Sequence, residues 1–208
     1  MRRLYLELKN LRFYYYIPLV VLFILVPLTA VATLKKASDP FPSFVTICQL
    51  YIPCFAPWWP LFVLKDYLNS PGKELLFVYK QSRDSLLGKV VILWILYVLH
   101  ILVVFLAASF LYKFVWFLFI AVIIQSILLT ALAYFLAILL QNTFVPLITN
   151  FTYSLIFMLA GGYSPLSIFV DGLRDASSLD KSVFVFIAAL VLLYAGFQLE
   201  KRLYKNSI

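Results

Sequence analysis

The chain has 208 residues, of which 64% are hydrophobic and only 12% charged, with a net charge of +8. That composition leaves little material for a separate soluble domain, and from Phe114 to Val170 there is no Asp, Glu, Lys, Arg or His. The basic excess gathers at the ends of apolar runs, where it reads as membrane topology and affinity for anionic headgroups rather than as a nucleic-acid footprint.

A helix needs roughly 20 apolar residues to cross a bilayer, and six runs qualify: 15–34, 44–64, 90–111, 114–140, 143–161 and 183–199. The expected fold is an all-α integral membrane protein, one domain over 1–208, with six transmembrane helices. A closed barrel would instead show short alternating segments. Ahead of the first run, Leu4, Leu8, Leu11 and Tyr15 recur at i, i+4, i+7 and i+11, with Arg3, Glu7 and Asn10 on another face. This spacing predicts an interfacial amphipathic helix over 3–16; a basic flank that only sets topology is the other reading. Arg2, Arg3, Lys9 and Arg12, followed by an apolar stretch and Ala30, Val31, Ala32, imitate a secretory signal. The stretch is longer than a signal core and reads as a retained first span.

The second span carries Pro53, Pro57 and Pro60 beside Tyr51, Trp58 and Trp59. Lost backbone donors predict a kink there, either a flexible joint or a static bend. Cys48 and Cys54, six residues apart, point about 240° apart around a helix, which suits packing rather than a bridge or a metal. The segment from Lys65 to Lys89 is the longest polar stretch between spans. Within it Ser70 can cap, Pro71 suits a first helical position, Glu74 favours the first turn, and Leu75, Leu76 and Tyr79 form an apolar edge, so a short extramembrane helix is expected.

Span three holds His100, the one ionisable residue inside a run, with no acidic partner at depth; it reads as a packing residue. Tight hairpins are expected at Tyr112, Lys113 and at Gln141, Asn142. In span five Thr143, Asn150 and Ser154 share one stripe at i, i+7 and i+11. The stripe either lines a route or bonds neighbouring helices. Between spans five and six, Pro165–Val170 is apolar enough to re-enter the bilayer, although an ordinary loop fits equally well. Placing both termini in the cytoplasm puts twelve Lys and Arg residues inside and five outside, as the positive-inside rule asks.

Taken together, the amphipathic N-terminus (Glu7, Lys9, Arg12), six spans, and a loop reading Gly72, Lys73, Glu74, Leu75, Leu76, then Gln81, Ser82, Arg83 and Leu86, Leu87, Gly88, Lys89 resemble an ABC-2-type permease. The resemblance spans the chain in architecture and about twenty residues in motif. It implies the transmembrane subunit of an ATP-driven exporter, paired with a second permease subunit, identical or not. A cytoplasmic ABC ATPase subunit would bind the ATP. Lys73, Glu74, Leu75, Leu76 and Tyr79 would form the coupling helix that docks on that ATPase. By the same resemblance spans two and five line the transport path, which makes Tyr51, Pro57, Thr143, Asn150 and Ser154 the candidate lining.

No GxxxxGK[ST] loop occurs in the chain, so hydrolysis is expected on the separate subunit, and no catalytic residue, cofactor or metal site is assigned. An amphipathic or lipophilic cargo suits a path of aromatic and neutral polar groups. Sparse cysteine and the lack of a eukaryotic targeting signal lean towards a bacterial plasma membrane. Two other classes stay open: a vitamin-uptake substrate-binding subunit, which the scarcity of small residues in span one disfavours, and a non-transporting scaffold or immunity protein, which leaves the polar loop's helix signals unexplained.

Overall fold

Hydrocarbon offers no partner to a peptide group, so apolar runs of this length bond internally as helices. The structure, a computed structural model, describes residues 8–34, 41–69, 85–112, 115–159, 168 and 176–206. Residues 3–7 of the interfacial segment, the segment expected to couple, and the 160–167 and 169–175 stretches lie outside these residues. Among the described residues every regular element is helical. A 3-10 turn at Arg12–Tyr15 leads into α1 (Tyr16–Val20), a π turn (Val21–Leu25) and α2 (Val26–Leu34). The other helices are α3 (Phe41–Phe55), α4 (Trp58–Leu68), α5 (Leu86–Ala108), α6 (Val115–Leu140), α7 (Phe144–Leu159) and α8 (Ala176–Asn206).

Five stretches are long and apolar enough to cross a membrane: Arg12–Ala32, Phe41–Leu68, Leu86–Ala108, Val115–Leu140 and Lys181–Leu203. The chain is therefore a multi-pass helical membrane protein. At 16 residues, α7 is about 24 Å long, short of the roughly 30 Å hydrocarbon core. Where six spans were expected, the described residues give five and one shorter apolar helix.

Prolines shape the first two spans. Proline lacks an N–H and its ring displaces the carbonyl four residues back. For Pro18 that carbonyl belongs to Tyr14, and it accepts the Trp58 indole N–H at 3.0 Å. The neighbouring Trp59 donates to Tyr15 O at 3.0 Å, with its ring stacked on Tyr15 at 5.2 Å. For Pro27 the displaced carbonyl is that of Phe23, inside the π turn, whose wider ring absorbs it.

The second span breaks at Ala56–Pro57, between α3 and α4. Pro57 offers no N–H to Pro53 O, so the Ala56 N–H turns to it at 3.2 Å. Ile52 O, the regular partner of that N–H, accepts instead from the fully buried Tyr97 hydroxyl of α5 at 2.8 Å. The bend expected from three prolines is thus located at the second of them, and another helix satisfies the carbonyl it releases.

The hub of the bundle is α6, which packs against α3, α4, α5, α7 and α8. Being apolar all round suits it to the interior, and Ala121, Ser126, Ala131, Ala133 and Ala137 let neighbours approach closely. It runs parallel to α8. Near its start Ala121 and Ile124 face Lys181, Ser182 and Val185, and near its end Tyr134 meets Gly196 and Glu200.

The turn from α6 to α7 is closed by Gln141 at φ 47, an Asn142 N–H to Ala137 O bond of 3.3 Å, and Asn142 Oδ1 accepting the Phe144 N–H at 2.7 Å. The first two features are a Schellman helix stop, and the third caps the next helix. The expected hairpin at this point is tight.

Gly196 sits where the α6–α8 pair is closest. A Cβ there would lie 2.6 Å from the Tyr134 ring. Replacing Gly196 by Ala should lower detergent-state stability by about 1–3 kcal/mol through overpacking. Gly88→Ala, which meets nothing within 4 Å, should leave it unchanged or raise it. Thermal unfolding of the two purified variants compares them directly.

Candidate functional site

Lys73, Glu74, Leu75, Leu76 and Tyr79 lie outside the described residues, but the helix ends on either side of them are well defined. The first turn of a helix leaves four N–H groups without intrahelical partners. In α5 the N-cap Ser85 is extended (φ −64, ψ 133) and its Oγ accepts the Gly88 N–H at 3.2 Å, while Ser85 O accepts the Lys89 N–H at 3.4 Å. The first two donors go to one carboxylate from the last helix. Glu200 Oε1 accepts the Leu86 N–H at 2.7 Å, and Oε2 accepts the Leu87 N–H at 3.2 Å and the Tyr134 hydroxyl at 2.5 Å.

Glu200 is 2% exposed. A carboxylate so deep needs both hydrogen bonds and positive potential, and a helix N-terminus supplies the two together. Leu61, Leu64, Leu68, Leu86, Val90 and Ile138 pack around this junction. Beside it Lys89 Nζ donates to the Tyr67 hydroxyl and lies 4.4 Å from the centre of that ring. The ends of α4, α5, α6 and α8 are thereby fastened together where the 70–84 connection leaves and returns.

The candidate lining residues fall on a second polar cluster. The α7 stripe faces inward: Thr143, Asn150 and Ser154 are all buried. Asn150 Nδ2 donates to Leu129 O of α6 at 3.4 Å, and Ser154 lies against the Cys54 thiol of α3. Phe151 wedges edge-on between Phe55 and Trp58, at 5.1 Å and 6.4 Å, and so the stripe meets the bend at Pro57. Tyr51 is half-buried and belongs to the same apolar cluster as Phe55 and Trp58. The structure therefore brings Asn150 and Ser154 to the bend at Pro57.

One turn from Leu129 along α6, Gln125 Nε2 donates both to Gln49 Oε1 of α3 at 2.9 Å and to Ile168 O at 3.0 Å. Four buried polar atoms here, Gln125 Oε1, Thr130 Oγ1, Asn150 Oδ1 and Ser154 Oγ, make no hydrogen bond among the described residues. The seam between α3, α6 and α7 can therefore accept hydrogen bonds from a neutral donor, and none of its amides and hydroxyls exchanges a proton near neutral pH.

His100 stands outside both clusters. Its Nδ1 bonds Leu96 O at 2.7 Å, one turn back, and its ring sits edge-on to Trp59 and Phe23. Because a carbonyl only accepts, Nδ1 is the donor in this bond, and the ring packs among aromatics. Among the described residues no group of three His, Cys, Asp or Glu could hold a metal.

Reading the sequence alone overlooks Glu200, Tyr134, Gln49, Gln125 and Thr130. An amide inside an otherwise apolar run was the available signal for the two glutamines. Glu200 follows the last apolar residue of the sixth run and looks like part of the polar tail.

No family model, curated protein or solved structure matches this chain.

Glu200→Ala should lower stability by about 1.5–3 kcal/mol, the range for a hydrogen-bonded charged group, and should speed amide exchange at Leu86 and Leu87 selectively. Glu200→Gln, which keeps one acceptor oxygen, should lose less. Hydrogen exchange read by mass spectrometry on the detergent-solubilised protein separates this local effect from general loosening.

Proposed function

We propose that this chain is the transmembrane permease subunit of an ATP-driven exporter of the ABC-2 type. It sits in a bacterial plasma membrane with both termini cytoplasmic and six spans. It works with a second permease subunit and a separate cytoplasmic ATPase that carries the nucleotide. Lys73, Glu74, Leu75, Leu76 and Tyr79 dock on that ATPase.

The observation that carries the reading is the Glu200 junction. The segment proposed to receive the ATPase returns directly into Leu86 and Leu87, whose amides are bonded to the last helix. Glu200 is bonded in turn to the hub through Tyr134. A displacement of the connection cannot be absorbed by fraying of α5, because every N–H of its first turn has a partner. The displacement is passed instead to α8 and α6, and α6 carries Gln125 and Thr130 of the polar seam. The seam's neutral acceptors, next to the aromatic groups at the Pro57 bend, favour an amphipathic or lipophilic cargo over a free ion. Movement of α6 relative to α3 and α7 opens the seam and closes it again.

The test is co-purification of the tagged full chain from its host in mild detergent. A stoichiometric ATP-binding subunit should accompany the wild type. It should be lost from Glu74→Lys and from the double variant Leu75→Asp, Leu76→Asp, both of which keep the wild-type unfolding temperature because the changes lie outside the spans. Recovery of intact chain without any ATP-binding subunit, or undiminished transport by the variants, contradicts the proposal.

A further inference from the structure

At the end of the bundle away from the Glu200 junction, the first three spans leave a cleft of about 330 Å³. Its cause is legible in the residues. Pro27, Ala30, Ala107 and Ala108 stand where larger side chains would close the gap between α2 and α5, and the π turn shifts the register just before Pro27. Phe44 of α3 forms part of the wall, and Tyr112, stacked on Phe44 at 4.9 Å, marks the end at the membrane boundary.

The rim determines which medium the cleft meets. Val31, Val103 and Leu111 line it and are each at least half exposed, and they sit in or next to helices that span the membrane. The opening is thus continuous with the lipid-facing surface. Water is a poor occupant, since a bound water needs two to four polar partners and the wall is aliphatic and aromatic apart from the Tyr112 hydroxyl. An empty space of this size is also disfavoured, because its lining would forgo dispersion contacts. The fluid at its mouth is hydrocarbon.

We propose that this cleft is a binding site for one acyl chain of a bilayer phospholipid, inserted between the first and third spans with its headgroup at the level of Tyr112. Unlike lipid lying against a smooth helix face, this chain is enclosed on three sides by protein and is retained through detergent extraction. The proposal is independent of the transport reading, since the cleft shares no residue with the seam or the Glu200 junction.

The experiment uses full-length protein reconstituted in phosphatidylcholine vesicles doped with a phospholipid carrying a diazirine near the end of one acyl chain. After irradiation, cross-linked peptides should concentrate on 23–32 and 103–112 and exceed those from the equally exposed surface of α8 several-fold. In parallel, native mass spectrometry of the detergent-purified chain should show one retained phospholipid. That lipid should be lost from Ala30→Leu and Ala108→Leu, whose unfolding temperatures should equal or exceed the wild type because the added methyl groups fill space. Cross-links spread evenly over all lipid-facing helices, or equal retention by wild type and filled variants, would overturn the assignment. If a filled variant does not fold, the cross-link map of the wild type decides alone.

Discussion

A peptide group released from its helix inside a bilayer must be bonded by another part of the protein, since lipid tails cannot do it, and most of the unusual contacts in this structure answer that requirement. Pro18 displaces the carbonyl of Tyr14, and a tryptophan from the second span takes it. The bend at Pro57 releases the carbonyl of Ile52, and a buried tyrosine from the third span takes it. The helix that begins at Leu86 opens with unpaired amides, and a buried glutamate from the last span takes two of them. Each solution links elements far apart in sequence, so the irregular points of individual helices are also the points at which the bundle is fastened.

Apart from the mid-span Tyr97–Ile52 bond, these fastenings lie towards one end. The Trp58 and Trp59 bonds, the Lys89–Tyr67 pair and the Glu200 junction surround the ends of α4, α5, α6 and α8 and the start of the first span. At the other end, small residues leave the cleft between the first and third spans. Between the two, the α3–α6–α7 seam holds buried polar atoms that make no hydrogen bond among the described residues; a buried polar group left unbonded costs about 1–3 kcal/mol. A firmly held end beside an under-satisfied interior is a reasonable arrangement for a bundle that moves cargo, and it is the physical basis of the proposed coupling.

Much of this was legible in the residues. Helical class and most of the crossings follow from run length and charge placement, because hydropathy is a local property. The α7 stripe was legible for the same reason, since i, i+7 and i+11 fix one face whatever the partner, and that face is buried. What could not be read were the partners. Nothing near Pro57 announces Tyr97, 40 positions on, and nothing near Ser85 announces Glu200. Glu200 was masked by its place beside Lys201 and Arg202, where a carboxylate looks solvated.

The central claim, that side chains from neighbouring helices satisfy carbonyls that prolines release, can be tested by a double-mutant cycle between Pro57 and Tyr97 in the detergent-purified protein. Pro57→Ala restores a donor for Pro53 O and frees the Ala56 N–H to return to Ile52 O. Tyr97→Phe should therefore cost about 1 kcal/mol in the wild-type background and close to nothing in Pro57→Ala. An equal cost in both backgrounds would show that the hydroxyl does not serve the carbonyl released at the bend, and would contradict the claim.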